Sequence, residues 1–227
     1  YYAFAERGFS VLRFNFRGVG RSQGAFDHGS GELSDAAAAL DWAQSVNPEA
    51  RACWIAGVSF GSWIGMQLLM RRPEIEGFVS IAPPANRFDF SFLAPCPSSG
   101  LFIHGDIDRV APLKEVTALI EKLKTQKGIL IEHAVVKGAN HFFEDRIEPL
   151  IAEVDAYLDK RLGNPPRIAI PVAAAVLALT VLVLTLAALA AGDDNTQLAG
   201  ALKDITQSVR GLPLEAIVLL SDGVDTT

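Results

Sequence analysis

Short, largely apolar stretches recur through residues 1–163: "FSVLRFNF" (9–16), "ACWIAGV" (52–58), "GFVSIAPP" (77–84), "GLFIHGD" (100–106) and "ILIEHAVV" (129–136). Helical patterns separate them. Tyr1 to Arg7 reads as the end of a helix closed by Gly8. Leu33, Ala36, Ala37, Leu40 and Ala43 fall at helical spacing over Glu32 to Val46, where Asn47 and Pro48 end the run. Ser62 to Met70, Leu113 to Lys127 and Ile147 to Leu162 complete the set. A strand that is apolar on both faces must be covered on both, and strand-helix alternation supplies the cover. The pattern therefore predicts an α/β fold, a mostly parallel sheet with helices on both faces.

Charge excludes one class of partner. The net charge of −6 is spread evenly: residues 1–163 carry 17 Lys or Arg against 20 Asp or Glu, and residues 164–227 carry 3 against 6. Neither part has the basic stripe that nucleic-acid binding needs, so no nucleic-acid partner is expected. Cys53 and Cys96 have no metal-ligand spacing and read as reduced thiols of a cytoplasmic domain. The chain opens on Tyr1 without a charged n-region or an apolar h-region, so no signal peptide is read, and its first residues resemble the middle of a domain.

At Gly163 the composition changes. After the breaker "NPPR", residues 168–191 run for 24 positions without a charge. As a helix this run would cover about 36 Å, more than the roughly 30 Å of bilayer hydrocarbon, so a single membrane span is expected, with 164–167 as linker. Lys160, Arg161 and Arg167 precede it, which would place residues 1–163 on the cytoplasmic side; Lys203 and Arg210 beyond it weaken that bias.

The candidate chemistry centres on "GVSFGS", residues 57–62. Gly57 and Gly61 flank Ser59 in the G-x-S-x-G pattern of a sharp strand-to-helix turn, which lifts a serine hydroxyl above the sheet. Such a serine needs a base to take its proton and an acid to orient that base. Both follow in the chain: "HGDIDRVAP" supplies Asp106 and Asp108 after one strand, and "KGANHFF" supplies His141 after the next. These are strand ends, where open α/β sheets assemble their sites. His141 is the candidate base. Of the other histidines, His104 is expected to be tied to its local turn, His133 packed within a strand, and His28 part of a polar loop. Asp108 is preferred as the acid because it lies further into its loop, with Asp106 capping the turn.

Together, "RFNFRGVGRSQG", "GVSFGS", "HGDIDRVAP" and "GANHFF" make residues 1–163 resemble a bacterial α/β-hydrolase of the small dienelactone-hydrolase-like or esterase-like kind. The match of Gly105, Asp108, Val110 and Pro112 to that family's acid loop again favours Asp108. The resemblance implies a serine hydrolase acting on a carboxylic ester or related acyl compound, with no cofactor. It also implies an oxyanion hole built partly by the Phe60 N–H, the other donor coming from a loop that the family places ahead of the region where this chain starts. On that comparison residues 1–163 are expected to lack the family's first strands. The segment between "SIAPP" and "GLFIH" is too short for a lid domain, so an open site is expected. Trp63 and Phe142, with Phe88, Phe90 and Phe92, are candidates to line an acyl pocket. "RGVGRSQG" is not read as a dinucleotide loop, because its third glycine falls at 24, one position late.

The tail reads differently. "NTQLAGALKDI" is expected as a helix and "GLPLEAIVLLSDG" as a strand, and residues 193–227 resemble part of a von Willebrand factor type A domain. That resemblance would match Thr196 and Asp222 to cation ligands. Two oxygens do not make a hard-cation site, so no metal is expected. The tail's protein partner is not specified by the sequence. An alternative for the whole is a non-catalytic, membrane-tethered interaction protein that uses the hydrolase fold as scaffold; another is thioesterase or peptidase chemistry at the same serine.

Overall fold

The computed structural model describes residues 1–163 and, as backbone, 215–220. The expected alternation is present. In chain order the elements are α1 (Tyr2–Ala5), β1 (Phe9–Phe14), α2 (Ser30–Val46), β2 (Cys53–Val58), α3 (Phe60–Leu69), β3 (Ile75–Ile81), a 3-10 turn (Ser91–Leu93), β4 (Ser99–Gly105), α4 (Leu113–Lys124), β5 (Ile131–Val136), α5 (Ile147–Leu162) and β6 (Glu215–Leu220). The strands form one sheet in the order β1-β6-β2-β3-β4-β5, and every pairing in it is parallel.

Each face of the sheet carries its own core, as strands apolar on both sides require. On one face Phe14, Ile55, Phe78 and Phe102 pack against Leu40 of α2, Ile64 and Leu68 of α3, and Ile120 of α4. On the other, Trp54, Val79, Leu101 and Ile103 pack against Phe4 of α1 and Val154, Tyr157 and Leu158 of α5. Helices α1 and α5 of that second face are tied by Arg7, whose fully buried guanidinium pairs with Asp155 and Asp159 of α5, both at 2.6 Å, and donates to the Ala3 carbonyl. Burial pushes the Cys53 thiol up to about 12 and raises that of Cys96 as well. Neither should react with iodoacetamide in the native protein at pH 8, while both should be alkylated in guanidinium; peptide mass mapping that finds either one modified before unfolding would refute this burial argument.

Two features differ from, or extend, the pattern read along the chain. Helix α3 begins at Phe60, directly after Ser59, because that single residue turns the chain and its carbonyl already accepts from the Ser62 and Trp63 N–H groups. The strand read in "LEAIVLL" is β6, and it lies inside the sheet. Leu12 of β1 and Ile55 of β2 both pair with Val218, so β1 and β2 are not neighbours but are joined through β6. The proposed membrane run 168–191, the helix read in "NTQLAGALKDI", and Thr196 and Asp222 lie outside the described residues. Among the described residues no helix is long and apolar enough to cross a membrane.

Candidate active site

Ser59 is the only residue between β2 and α3, and it turns the chain with φ 50° and ψ −121°. Positive φ is uncommon for a residue with a Cβ and costs on the order of 1–3 kcal/mol, so it persists only where the surroundings impose it. Here the strand and helix do so from both sides. The Ser59 N–H donates to the Ile81 carbonyl of β3 at 2.9 Å, and its carbonyl accepts from the Ser62 N–H and hydroxyl at 2.9 and 2.7 Å. Gly57 makes the approach possible: a Cβ there would lie 2.6 Å from the Gly61 carbonyl carbon and 2.7 Å from Ser62 Cα. Phe60 supplies the first amide of α3, a position at which no carbonyl of its own helix accepts the N–H.

The next two strand ends bring the other groups to Ser59. After β4, the loop through residues 106–111 carries Asp108; after β5, the loop through residues 137–146 carries His141. His141 Nδ1 lies 2.7 Å from Asp108 Oδ2, and His141 Nε2 lies 2.8 Å from Ser59 Oγ. The Asp108 side chain is fully buried, and its Oδ1 accepts from the Val110 and Ala111 N–H groups at 2.8 and 2.9 Å. Burial alone would raise its pKa. Hydrogen bonds from His104, His141 and the Ala111 N–H outweigh it and hold the carboxyl well below the usual range. An ionised Asp108 only accepts, so the partners assign the His141 proton to Nδ1, which leaves the Nε2 lone pair facing the serine hydroxyl.

The two loops are fastened to each other. Gly105 is required because a Cβ there would stand 2.7 Å from the Ala139 carbonyl carbon. Ile107 N–H donates to the Ala139 carbonyl at 3.2 Å, and Asp106 accepts the Gly138 N–H at 2.6 Å. Asp106 thus bridges the loops, while Asp108 alone of the two aspartates reaches the imidazole.

The aromatic candidates separate. Trp63 is half-buried, stacked on Phe88 at 4.5 Å and 5.8 Å from the Phe60 ring, with its indole N–H on the Asp89 carbonyl. Phe142 is exposed and sets its ring edge-on to His141 at 5.2 Å. Phe90 is buried in the core and stacks on Phe92. Sequence reasoning missed Phe26, an exposed ring 5.6 Å from that of Phe60. The available signal was Glu32, three residues after Gly29 at the start of α2: its buried carboxylate accepts the Asp27 and Gly29 N–H groups and so pins the loop that bears Phe26. Of the remaining histidines, His28 is exposed beside Phe26 and His133 sits within β5. Among the described residues no group of three or more His, Cys, Asp or Glu is placed to hold a metal ion.

Known proteins resemble this chain in sequence and fold. A family model described as serine aminopeptidase, S33, matches residues 1–89. A protein of unknown function from Agrobacterium tumefaciens, provisionally assigned to the α/β-hydrolases, is 65% identical with a TM-score of 0.70, over 74% of this chain and 78% of that one. A lidless α/β serine hydrolase from Xanthomonas campestris is 32% identical with a TM-score of 0.58, over 70% of this chain and 67% of that one. An uncharacterized protein of Rickettsia prowazekii is 48% identical over 162 residues, which is 70% of this chain and 68% of that protein. On this combination of sheet, turn and relatives, the chain belongs to the α/β-hydrolase family.

Proposed function

We propose that the chain is a serine hydrolase that cleaves carboxylic esters or related acyl compounds through Ser59, His141 and Asp108. The observation that carries this reading is the unbroken hydrogen-bond chain from Ser59 Oγ through His141 to Asp108, at 2.8 and 2.7 Å. His141 Nε2 takes the hydroxyl proton as Oγ attacks the acyl carbon, and the charge that develops on the carbonyl oxygen is met by the Phe60 N–H. The imidazolium, stabilised by Asp108, then returns that proton to the departing alcohol and leaves an acyl-Ser59. Water, deprotonated by His141, releases the acid and regenerates the serine.

The surroundings favour an open site for a small or extended apolar acyl group. Between β3 and β4 the chain makes only a single 3-10 turn, Ser91–Leu93, and the Xanthomonas relative is described as lidless. Phe60, which follows the serine directly, gathers the rings of Trp63, Phe88 and Phe26 into an aromatic shelf. The same three groups would serve a thioester or an amide, and the shelf selects by apolar contact rather than by the leaving atom.

The test is covalent. A fluorophosphonate should modify the purified protein stoichiometrically, with the adduct on the peptide containing Ser59, and hydrolysis of p-nitrophenyl acetate should disappear in step. An unmodified Ser59, beside a reference serine hydrolase that reacts under the same conditions, would overturn the assignment.

A further inference from the structure

Asp108 is held by a second imidazole that the triad chemistry does not use. His104, near the end of β4, is fully buried; its Nε2 lies 2.6 Å from the Ala111 carbonyl oxygen and 3.2 Å from Asp108 Oδ2. A carbonyl oxygen only accepts, so Nε2 carries a proton, and that one N–H serves both oxygens. Its other nitrogen, Nδ1, is buried without a hydrogen-bond partner among the described residues. Nδ1 thus offers no partner to a proton, and the donor that His104 presents to its neighbours is Nε2–H.

We infer that His104 is a positioning residue for Asp108: its Nε2–H fixes the carboxylate and takes up part of Oδ2's accepting capacity, which sets how strongly that oxygen pulls on the His141 proton. The inference rests on the triad reading above. Asp108 Oδ1 is already held by two backbone N–H groups, at 2.8 and 2.9 Å, so Oδ2 is the oxygen whose partners decide both the orientation and the basicity of His141. Without His104, Oδ2 would answer to His141 alone; it would hold the imidazolium more tightly, and His141 would give up its proton at higher pH.

The charged groups around His104 leave this effect visible. From its own loop it faces Asp108; from β5 it faces His133, whose pKa is lowered, first by burial and then by Lys124 of α4, with Glu121 of α4 opposing. His141 faces only Asp108, Ser59 and the Phe142 ring among the contacts described above.

The experiment compares His104→Met, which fills the space without a donor, with His104→Gln, whose amide nitrogen reaches the position of Nε2. The readouts are the pH profile of kcat/KM for p-nitrophenyl acetate and the histidine side-chain 15N signals by NMR. In the wild type His104 should show a proton on Nε2. With His104→Met the acid limb and the His141 titration midpoint should move up together by about half to one pH unit, a further ~3- to 10-fold loss at pH 6. With His104→Gln most of that displacement should be recovered. Should His104→Met fail to fold, His104→Asn, too short to reach Oδ2, takes its place with the same expected displacement. A wild-type His104 with no proton on Nε2, an unmoved His141 midpoint in the donor-free variant, or equal loss in both variants would overturn the inference. The NMR readout needs no substrate, so a wild type without esterase activity, beside a His104→Met variant whose His141 midpoint is displaced from it, would refute the hydrolase reading and leave the positioning role standing.

Discussion

Replacing Asp108 with asparagine is expected to lower kcat for p-nitrophenyl acetate by about three to four orders of magnitude while KM changes little, the loss that follows when a triad base is held in the wrong tautomer. The structure dictates which way the amide would face. Asp108 Oδ1 accepts two backbone N–H groups, from Val110 and Ala111, so the asparagine oxygen must take that place and its NH2 must take the place of Oδ2. That NH2 would then point at His141 Nδ1, now 2.7 Å from Oδ2. A donor there requires Nδ1 to accept, which moves the imidazole proton to Nε2 and turns it toward the serine hydroxyl it ought to deprotonate. The same NH2 would oppose the Nε2–H of His104, so a stability loss of about 1–3 kcal/mol should accompany the kinetic one.

The stability difference has a pH signature of its own. Asp108 is held well below the ordinary carboxylate range in the folded protein, since the hydrogen bonds from His104, His141 and the Ala111 N–H overcome the opposing effect of burial. A native pKa below the unfolded value of about 3.9 stabilises the fold above roughly pH 4, and the stabilisation decays as pH falls toward the native pKa. The gap in Tm between wild type and Asp108→Asn should thus close as pH falls below about 4. A kcat within tenfold of wild type would remove Asp108 from the catalytic assignment, whatever the stability profile showed.

The elements that position this site were legible because their signals are local. Apolar runs marked β1 to β5, and Gly57 and Gly61 around Ser59 announced a strand-to-helix turn. Asp108 and His141 were singled out from their places after strands, a rule that needs the order of elements but no coordinates. What escaped depends on contacts between distant parts of the chain. His104 looked like a residue of its own turn, and it is one, through the Ala111 carbonyl; its approach to Asp108 Oδ2 follows from how the loop folds back. Phe26 sits in a polar loop: the Gly29–Glu32 spacing signals that the loop is pinned at the start of α2, but not that its ring meets Phe60. The position of β6 was the least accessible, because its apolar run marks a strand but says nothing of which neighbours it pairs with. Parallel pairing between segments so far apart carries no local turn signal of the kind that fixes a hairpin.

That position of β6 makes the other large effect. Val218→Pro should destabilise the folded protein by about 3 kcal/mol or more, enough to lower Tm by roughly 6–12 °C in a protein of this size. Strand β6 is hydrogen-bonded on both sides, to β1 over Phe9–Phe14 and to β2 over Cys53–Gly57, so any backbone N–H within it donates to one neighbour or the other. Proline removes that donor wherever it is placed. The control lies at the far side of the sheet. The Gly100 N–H of β4 donates to the Leu130 carbonyl just ahead of β5, and the Asp106 N–H just past β4 donates to the Val136 carbonyl, which assigns the even-numbered residues of β5 to the β4 ladder and turns the Val135 N–H away from it. Val135→Pro should therefore cost much less than Val218→Pro, although both put proline into a parallel strand. Thermal unfolding of the two variants, followed by circular dichroism, measures the difference. If Val218→Pro melts with the wild type, β1 and β2 do not depend on β6, and the first 163 residues hold the Ser59 turn by themselves; if it melts far below, the geometry around the proposed nucleophile depends on a strand contributed from the other end of the chain.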